Sequence, residues 1–243
     1  MLSYIYEEVD LDQKKGLTAN ALKLIAVVAM LIDHMAWWLL PMESLSGELL
    51  HTLGRITAPI MCYFISEGYF HTKNLRKYLI RLLLFAFVSH FAHAFFFGYG
   101  LFETTGILWG MALGLVSLMV YKSEKMHEII KILIIISCCI LAYPADLSSI
   151  TVLWILFFGI FHGQFKKQML SFLVIGATCL IIPAILPLGW EYIYLSGIVL
   201  AVPLLAVYNK ERGIRSKFMK WGFYVFYPLH LFILGILRYY IFK

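Results

Sequence analysis

Apolar runs long enough to cross a bilayer recur along this chain from residue 19 almost to its end. They cover 19–40, 49–70, 78–97, 105–121, 129–143, 150–161, 170–187, 192–208 and 221–242, the sixth being short and weakly separated from the fifth. A membrane span needs ~20 apolar residues. Hydrocarbon offers backbone N–H and C=O groups no partner, so each run must satisfy its own hydrogen bonds as a helix or join a closed barrel. The alternation of polar and apolar residues that marks a barrel strand is absent. Composition agrees, with 62% hydrophobic and only 14% charged residues against roughly a quarter charged in soluble domains. The expected fold is all-α: a polytopic transmembrane helical bundle of about nine helices, forming a single domain over 19–243 behind a polar tail over 1–18.

The loops test that count independently. Fifteen basic residues fall on one side: Lys14 and Lys15 in the tail; Lys73, Arg76 and Lys77; Lys122, Lys125 and Lys131; Lys166 and Lys167; and Lys210, Arg212, Arg215, Lys217 and Lys220. The intervening loops 41–48, 98–104, 144–149 and 188–191 contain no lysine or arginine. Positive-inside bias then sets the N-terminus in the cytoplasm and the C-terminus outside, in a multi-pass protein of the inner (cytoplasmic) membrane. The tail carries Glu7, Glu8, Asp10 and Asp12 and ends in Lys14 and Lys15, which fits a cytoplasmic start and not a cleavable signal peptide. Because the net charge of +6 is spent in topology-setting loops, nucleic acid is not an expected partner. Cys62, Cys138, Cys139 and Cys179 sit inside apolar runs without the paired spacing of a metal site or a disulfide framework, so no metal is expected.

Ionisable groups in hydrocarbon cost several kcal/mol, so they turn toward a bundle interior or a water-filled cavity. The first run carries Asn20, Lys23, Asp33 and His34, the second Arg55 and Glu67, the third Arg81, His90 and His93, and the ninth His230 and Arg238. Given the expected topology, Lys23, Glu67 and Arg81 lie near cytoplasmic ends, His34, Arg55, His90 and His93 in the outer half, and His230 near the middle. Asp33 and His34 are adjacent but diverge by ~100° around a helix, whereas Lys23 and His34 return to one face after three turns, ~16 Å apart along the axis. With Asn20 and Met30 they make a stripe able to hold two ends of a long ligand. Other readings stay open. Lys23, Arg81 and Arg238 are close enough to helix ends to snorkel, His90 and His93 suit hydrogen bonds to helix backbones, and Glu67-Gly68 suits a helix end. His34 and Arg55 are too deep to snorkel easily, and they are the pair expected to line an inward hollow.

Four stretches resemble the TraX family, named for the conjugative protein that acetylates the pilin N-terminus: 17–34 (LTANALKLIAVVAMLIDH), 53–72 (LGRITAPIMCYFISEGYFHT), 78–89 (YLIRLLLFAFVS) and 223–231 (FYVFYPLHL). The family is in turn similar to the wider transmembrane acyltransferases, which share a basic residue, ten residues and a histidine on the first helix, here Lys23 and His34. They also share a late aromatic-rich helix with a histidine, here Tyr224, Tyr227 and His230. This resemblance implies an integral-membrane enzyme that moves an acyl group, most simply acetyl, from cytosolic acetyl-CoA to an amine or hydroxyl, on a peptide N-terminus or an envelope glycan. His34, Arg55 and His230 would then act at the reacting centre, with His34 as base or acyl carrier. Lys23, Lys73, Arg76, Lys77 and Arg81 would meet the donor's anionic head, although the last four also serve as topology signals. Asp33, Glu67, His90 and His93 would touch the acceptor. The competing class is a transporter or channel with an Arg/Glu/His-lined path, against which the absence of related halves argues. A structural subunit would rely on small-residue helix interfaces, of which Gly110 and Gly114 offer one.

Overall fold

The computed structural model describes residues 15 to 241 apart from 43 and 215, so most of the polar tail, including Glu7, Glu8, Asp10, Asp12 and Lys14, lies outside the described residues. The described residues form an all-α bundle, and its helical segments match the nine apolar runs in order. Helix α1 (Ala19–Leu39) is followed by α2 (Leu45–Gly54) and α3 (Thr57–His71), which share the second run. Next come α4 (Leu75–Phe97), α5 (Ile107–Tyr121), α6 (Glu128–Leu141) and α7 (Ser148–Ile160). Helix α8 (Phe165–Gly176) passes through a π-helical turn (Ala177–Ile181) into α9 (Ile182–Leu188). A 3₁₀ stretch (Trp190–Leu200) leads into α10 (Ala201–Ala206), and α11 (Lys217–Ile236) ends in a second π turn (Leu237–Ile241). Four of these segments are long and apolar enough to cross a membrane: Ala19–Leu39, Leu75–Phe97, Phe165–Pro187 and Lys217–Ile241.

Local chemistry sets the helix ends. Thr18, Ser44, Asn74 and Ser216 each accept a hydrogen bond from the backbone N–H three residues on, capping α1, α2, α4 and α11. Gly98 closes α4 with φ +78°, a conformation costly for other residues.

One expectation is corrected here. The run 49–70 is two helices and not one, broken at Arg55 and Ile56. Pro59 lacks an N–H, and the break leaves it in the first turn of α3, where none is needed. Gly54 packs so tightly on α1 that an added Cβ would collide with the side chain of Asp33.

Helix α11 lies along α4 and α1; α1 also packs on α2 and α3; α5 packs between α4, α6 and α7. At the α5–α7 crossing Gly110 meets Thr151 and Gly114 meets Ile155, so the small-residue motif lets two backbones approach. Trp154 Nε1 donates to the Phe172 carbonyl and Gln168 Nε2 to the Phe158 carbonyl, tying α8 to α7 in the core. The bundle's outside is apolar, with Leu24, Val28, Leu84, Phe87, Val88 and Phe232 all exposed. Water would penalise such a surface and lipid would not, so the chain is a membrane protein.

Each end of the bundle carries a small backbone stitch. At one end Leu17 N–H donates to the Val207 carbonyl and Asn209 N–H to the Leu17 carbonyl. The loop that follows accepts from the N–H groups of Ala19 and Asn20 at Glu211 and Arg212. At the other end Thr105 N–H donates to Pro144 and Asp146 N–H to Thr105. These stitches position the loop residues of both regions described next.

Candidate active site

The first end holds a cavity of about 1160 Å³, at or above the roughly 300–1,000 Å³ usual for small-molecule sites. Its walls come from α1, α3, α4, α5, α11 and the 208–213 loop. Six Lys or Arg side chains line it: Lys23, Lys73, Arg81, Lys210, Arg212 and Lys220. None of them is ion-paired to an acid among the described residues. Glu67 and Glu211 are the acids in the same wall. Lys23 Nζ lies 5.0 Å from the Phe64 ring centroid and 5.8 Å from that of Phe223, cradled by aromatic faces. Arg81 Nε is buried without a hydrogen-bond partner, and its guanidinium lies 5.9 Å from the Tyr78 ring. Lys23, Lys73 and Arg81 thus sit together as the sequence indicated. Arg76 and Lys77 do not join them: both are exposed on the first turn of α4, outside the lining. Lys210, Arg212 and Lys220 were legible only as topology charges; backbone bonds with residues 17–20 fold the loop of Lys210 and Arg212 over the start of α1, and Lys220 comes from the first turn of α11.

Farther along α1, His34 Nδ1 is 2.8 Å from Nε2 of His230 on α11, the two rings lying within 8° of parallel. His230 Nδ1 is 2.9 Å from the Phe226 carbonyl oxygen. A carbonyl only accepts, so with both rings neutral the protons are assigned by elimination. His230 Nδ1–H donates to Phe226, His34 Nδ1–H donates to His230 Nε2, and His34 Nε2 keeps its lone pair. Phe96 and Phe97 flank His34 with ring centroids 5.8 and 5.7 Å away. Lys23 and His34 both contact α11, at Phe223 and His230, so the stripe read from their spacing is one face of α1.

Arg55 stands elsewhere, and the hollow expected between His34 and Arg55 is corrected: the cavity is lined by neither. Asp33 turns away from His34, as the ~100° step requires, and is buried. Its Oδ2 accepts from Arg55 Nη2 at 2.7 Å and its Oδ1 from His51 Nδ1 at 2.7 Å. Arg55 also lies 5.6 Å from the Tyr194 ring. His51 was missed in the sequence; its signal is the four-residue spacing to Arg55, which puts both on one face of α2 toward Asp33.

The other residues expected at an acceptor are dispersed. His90 Nε2 donates to the Leu101 carbonyl at 2.8 Å, anchoring the loop after α4, a packing role. His93 Nε2 pairs with Asp146 Oδ2 at 3.2 Å, across the outer stitch. Glu67 belongs to the cavity end, where His71 Nε2 and His162 Nε2 lie 3.4 and 3.2 Å from its carboxylate oxygens.

Comparison with known proteins supports a specific family. The chain is 29% identical over 231 residues to the probable fimbrial assembly protein FimC, serogroup H1, of Dichelobacter nodosus, an alignment covering 89% of this chain and 94% of that one. No solved structure matches. The model of the TraX protein family matches residues 18–238, which takes in both the cation-lined cavity and the His34–His230 pair, and the chain belongs to that family.

Proposed function

We propose that this protein is a multi-pass inner-membrane acyltransferase that moves an acetyl group from cytosolic acetyl-CoA to an amine or hydroxyl acceptor. The observation that carries the reading is the set of six cations, none ion-paired to an acid among the described residues, around one large cavity, opening on the face of α1 that also presents His34. Acyl-CoA has a polyanionic head on a long flexible arm. Lysine and arginine without acidic partners supply the charge-assisted hydrogen bonds such a head needs, and loop cations on one side fit a cytosolic entrance. The arm would run from Lys23 along the α1–α11 seam toward His34.

In this reading His34 Nε2 is the general base. As the acceptor nitrogen or oxygen bonds to the thioester carbonyl carbon, its proton passes to Nε2, the C–S bond breaks, and the proton leaves with the thiol. His230, fixed by the Phe226 carbonyl, steadies the imidazolium that forms, as the third member of a catalytic triad steadies its histidine. Arg55, neutralised by Asp33, organises α2 against α1 and is not the oxyanion donor. The similar protein named for fimbrial assembly favours a peptide N-terminal amine, as on a pilus subunit, over a glycan hydroxyl.

Incubating the purified protein with radiolabelled acetyl-CoA and cell-envelope fractions tests this. Label resistant to alkaline hydroxylamine marks an amide and labile label an ester. Absence of both label transfer and thermal stabilisation by acetyl-CoA defeats the reading, and a transport function then becomes the stronger one.

A further inference from the structure

The cavity's rim contains a cluster the acyl-transfer chemistry does not use. Glu67 and His71 stand one turn apart on α3, and His162 follows α7 in a turn that contains Gly163 at φ +81°. His71 Nε2 lies 3.4 Å from Glu67 Oε2 and His162 Nε2 lies 3.2 Å from Glu67 Oε1. One ligand-capable atom from each of the three lies within 4.8 Å of the others.

The protein supplies its own comparison for these contacts. The other ion pairs among the described residues are also hydrogen bonds: His51 and Arg55 to Asp33 at 2.7 Å, Lys131 to Glu128 at 2.7 Å, and His93 to Asp146 at 3.2 Å. Neither contact to Glu67 has hydrogen-bond geometry; each is an ion-pair approach only. The imidazole nitrogens therefore converge beside the carboxylate oxygens instead of aiming at them. Nitrogen and oxygen ligands held ~2.0–2.2 Å from a tetrahedral ion stand roughly 3.3–3.6 Å from one another, and three atoms already within 4.8 Å of one another reach that spacing by small side-chain rotations.

Two further observations point the same way. The Glu67 side chain is only 12% exposed, and no lysine or arginine pairs with it among the described residues, so its charge needs another cation. His162 is not a free surface ring: it stacks on Phe70 with centroids 3.7 Å apart and an interplanar angle of 20°, which holds the plane of its imidazole.

We propose that Glu67, His71 and His162 form a binding site for a divalent transition metal ion of the zinc class. Two imidazoles and one carboxylate are a donor set that zinc accepts with a fourth position left open. Because Glu67 and His71 both line the cavity, that position faces it and takes water or an anionic oxygen of a cavity occupant. The site does not depend on the transferase reading.

The test uses full-length protein purified in detergent without a histidine tag, stripped with a chelator and titrated with Co²⁺. The expected result is one equivalent bound with the intense visible bands of a low-coordinate Co²⁺ site, displaced by Zn²⁺. Glu67→Gln and His162→Ala lose those bands. So does His71→Ala, whose side chain is 68% exposed and whose loss leaves the metal-free melting temperature unchanged. Failure to bind one equivalent of either ion, or retention of the bands in all three variants, overturns the site.

Discussion

The two ends of α1 lean on the same neighbour, α11, and treat charge in opposite ways. At the cavity end Lys23 rests between Phe64 and Phe223, and none of the lining cations is ion-paired to an acid among the described residues. Three helical turns farther on, charge is matched within the protein: Asp33 accepts from Arg55 and His51 at 2.7 Å each, while beside it the His34–His230–Phe226 chain, at 2.8 and 2.9 Å, leaves one nitrogen of His34 free to react. Buried groups matched in this way rigidify an element. Cations left unmatched around a large space await charge from a ligand. The contrast separates residues that hold the site in shape from residues that receive a molecule, and it sorts side chains that look alike in the sequence.

The sharpest way to break this contrast is within the matched end, by separating His34 from Asp33. His34→Ala removes the lone pair and the one hydrogen bond to His230, and no buried charge. Transfer from acetyl-CoA should fall by about 10²–10⁴-fold, the usual range for a positioned acid–base group, while the melting temperature in detergent stays near that of the parent. A comparable fall in stability would show that His34 belongs with the structural groups and would remove it from the chemistry.

Asp33→Ala should do the reverse. It leaves Arg55 without its carboxylate and His51 without its acceptor, both beside Gly54 where α2 packs on α1. Breaking a buried pair from one side costs about 3–5 kcal/mol, read as a lowered midpoint in denaturant or thermal unfolding. Lys23→Met, at the unmatched end, removes no partner and should cost under about 1 kcal/mol. If the two variants unfold alike, the distinction between the ends fails.

How far the sequence reveals these two ends follows from what periodicity encodes. Helix count, the Gly110–Gly114 small-residue motif of α5 and the shared face of Lys23 and His34 depend on spacing within one segment, so they were readable. The break at Arg55 was less visible because the apolar run continues through it; Pro59 four residues later was the available sign. Pairings between segments were the hardest. Asp33 with Arg55 and His51 joins α1 to α2, His34 with His230 joins residues 196 apart, and no rule of spacing reports which faces meet. The cations Lys210, Arg212 and Lys220 were read for their sign alone, because backbone bonds to residues 17–20 put the first two over the cavity and the packing of α11 places the third. His162 was overlooked for a similar reason: its partners Glu67 and Phe70 lie on another helix.

The smallest effect probes two of those cations. Arg212 and Lys220 are both exposed, so water and salt screen whatever they contribute to an anionic ligand. An exposed charge interaction is worth about 0.2–1 kcal/mol, so each of Arg212→Ala and Lys220→Ala should raise KM for acetyl-CoA by no more than about fivefold and leave kcat alone. The double variant should also flatten the dependence of KM on ionic strength, since fewer screened contacts remain to be lost. Stability should not move, because neither side chain holds a hydrogen bond or ion pair among the described residues. A change in kcat with KM unchanged would mean that the loop acts through the geometry of α1 and not through charge. The cavity would then be a packing gap whose cations mark topology alone, and the difference between the two ends would lose its functional meaning.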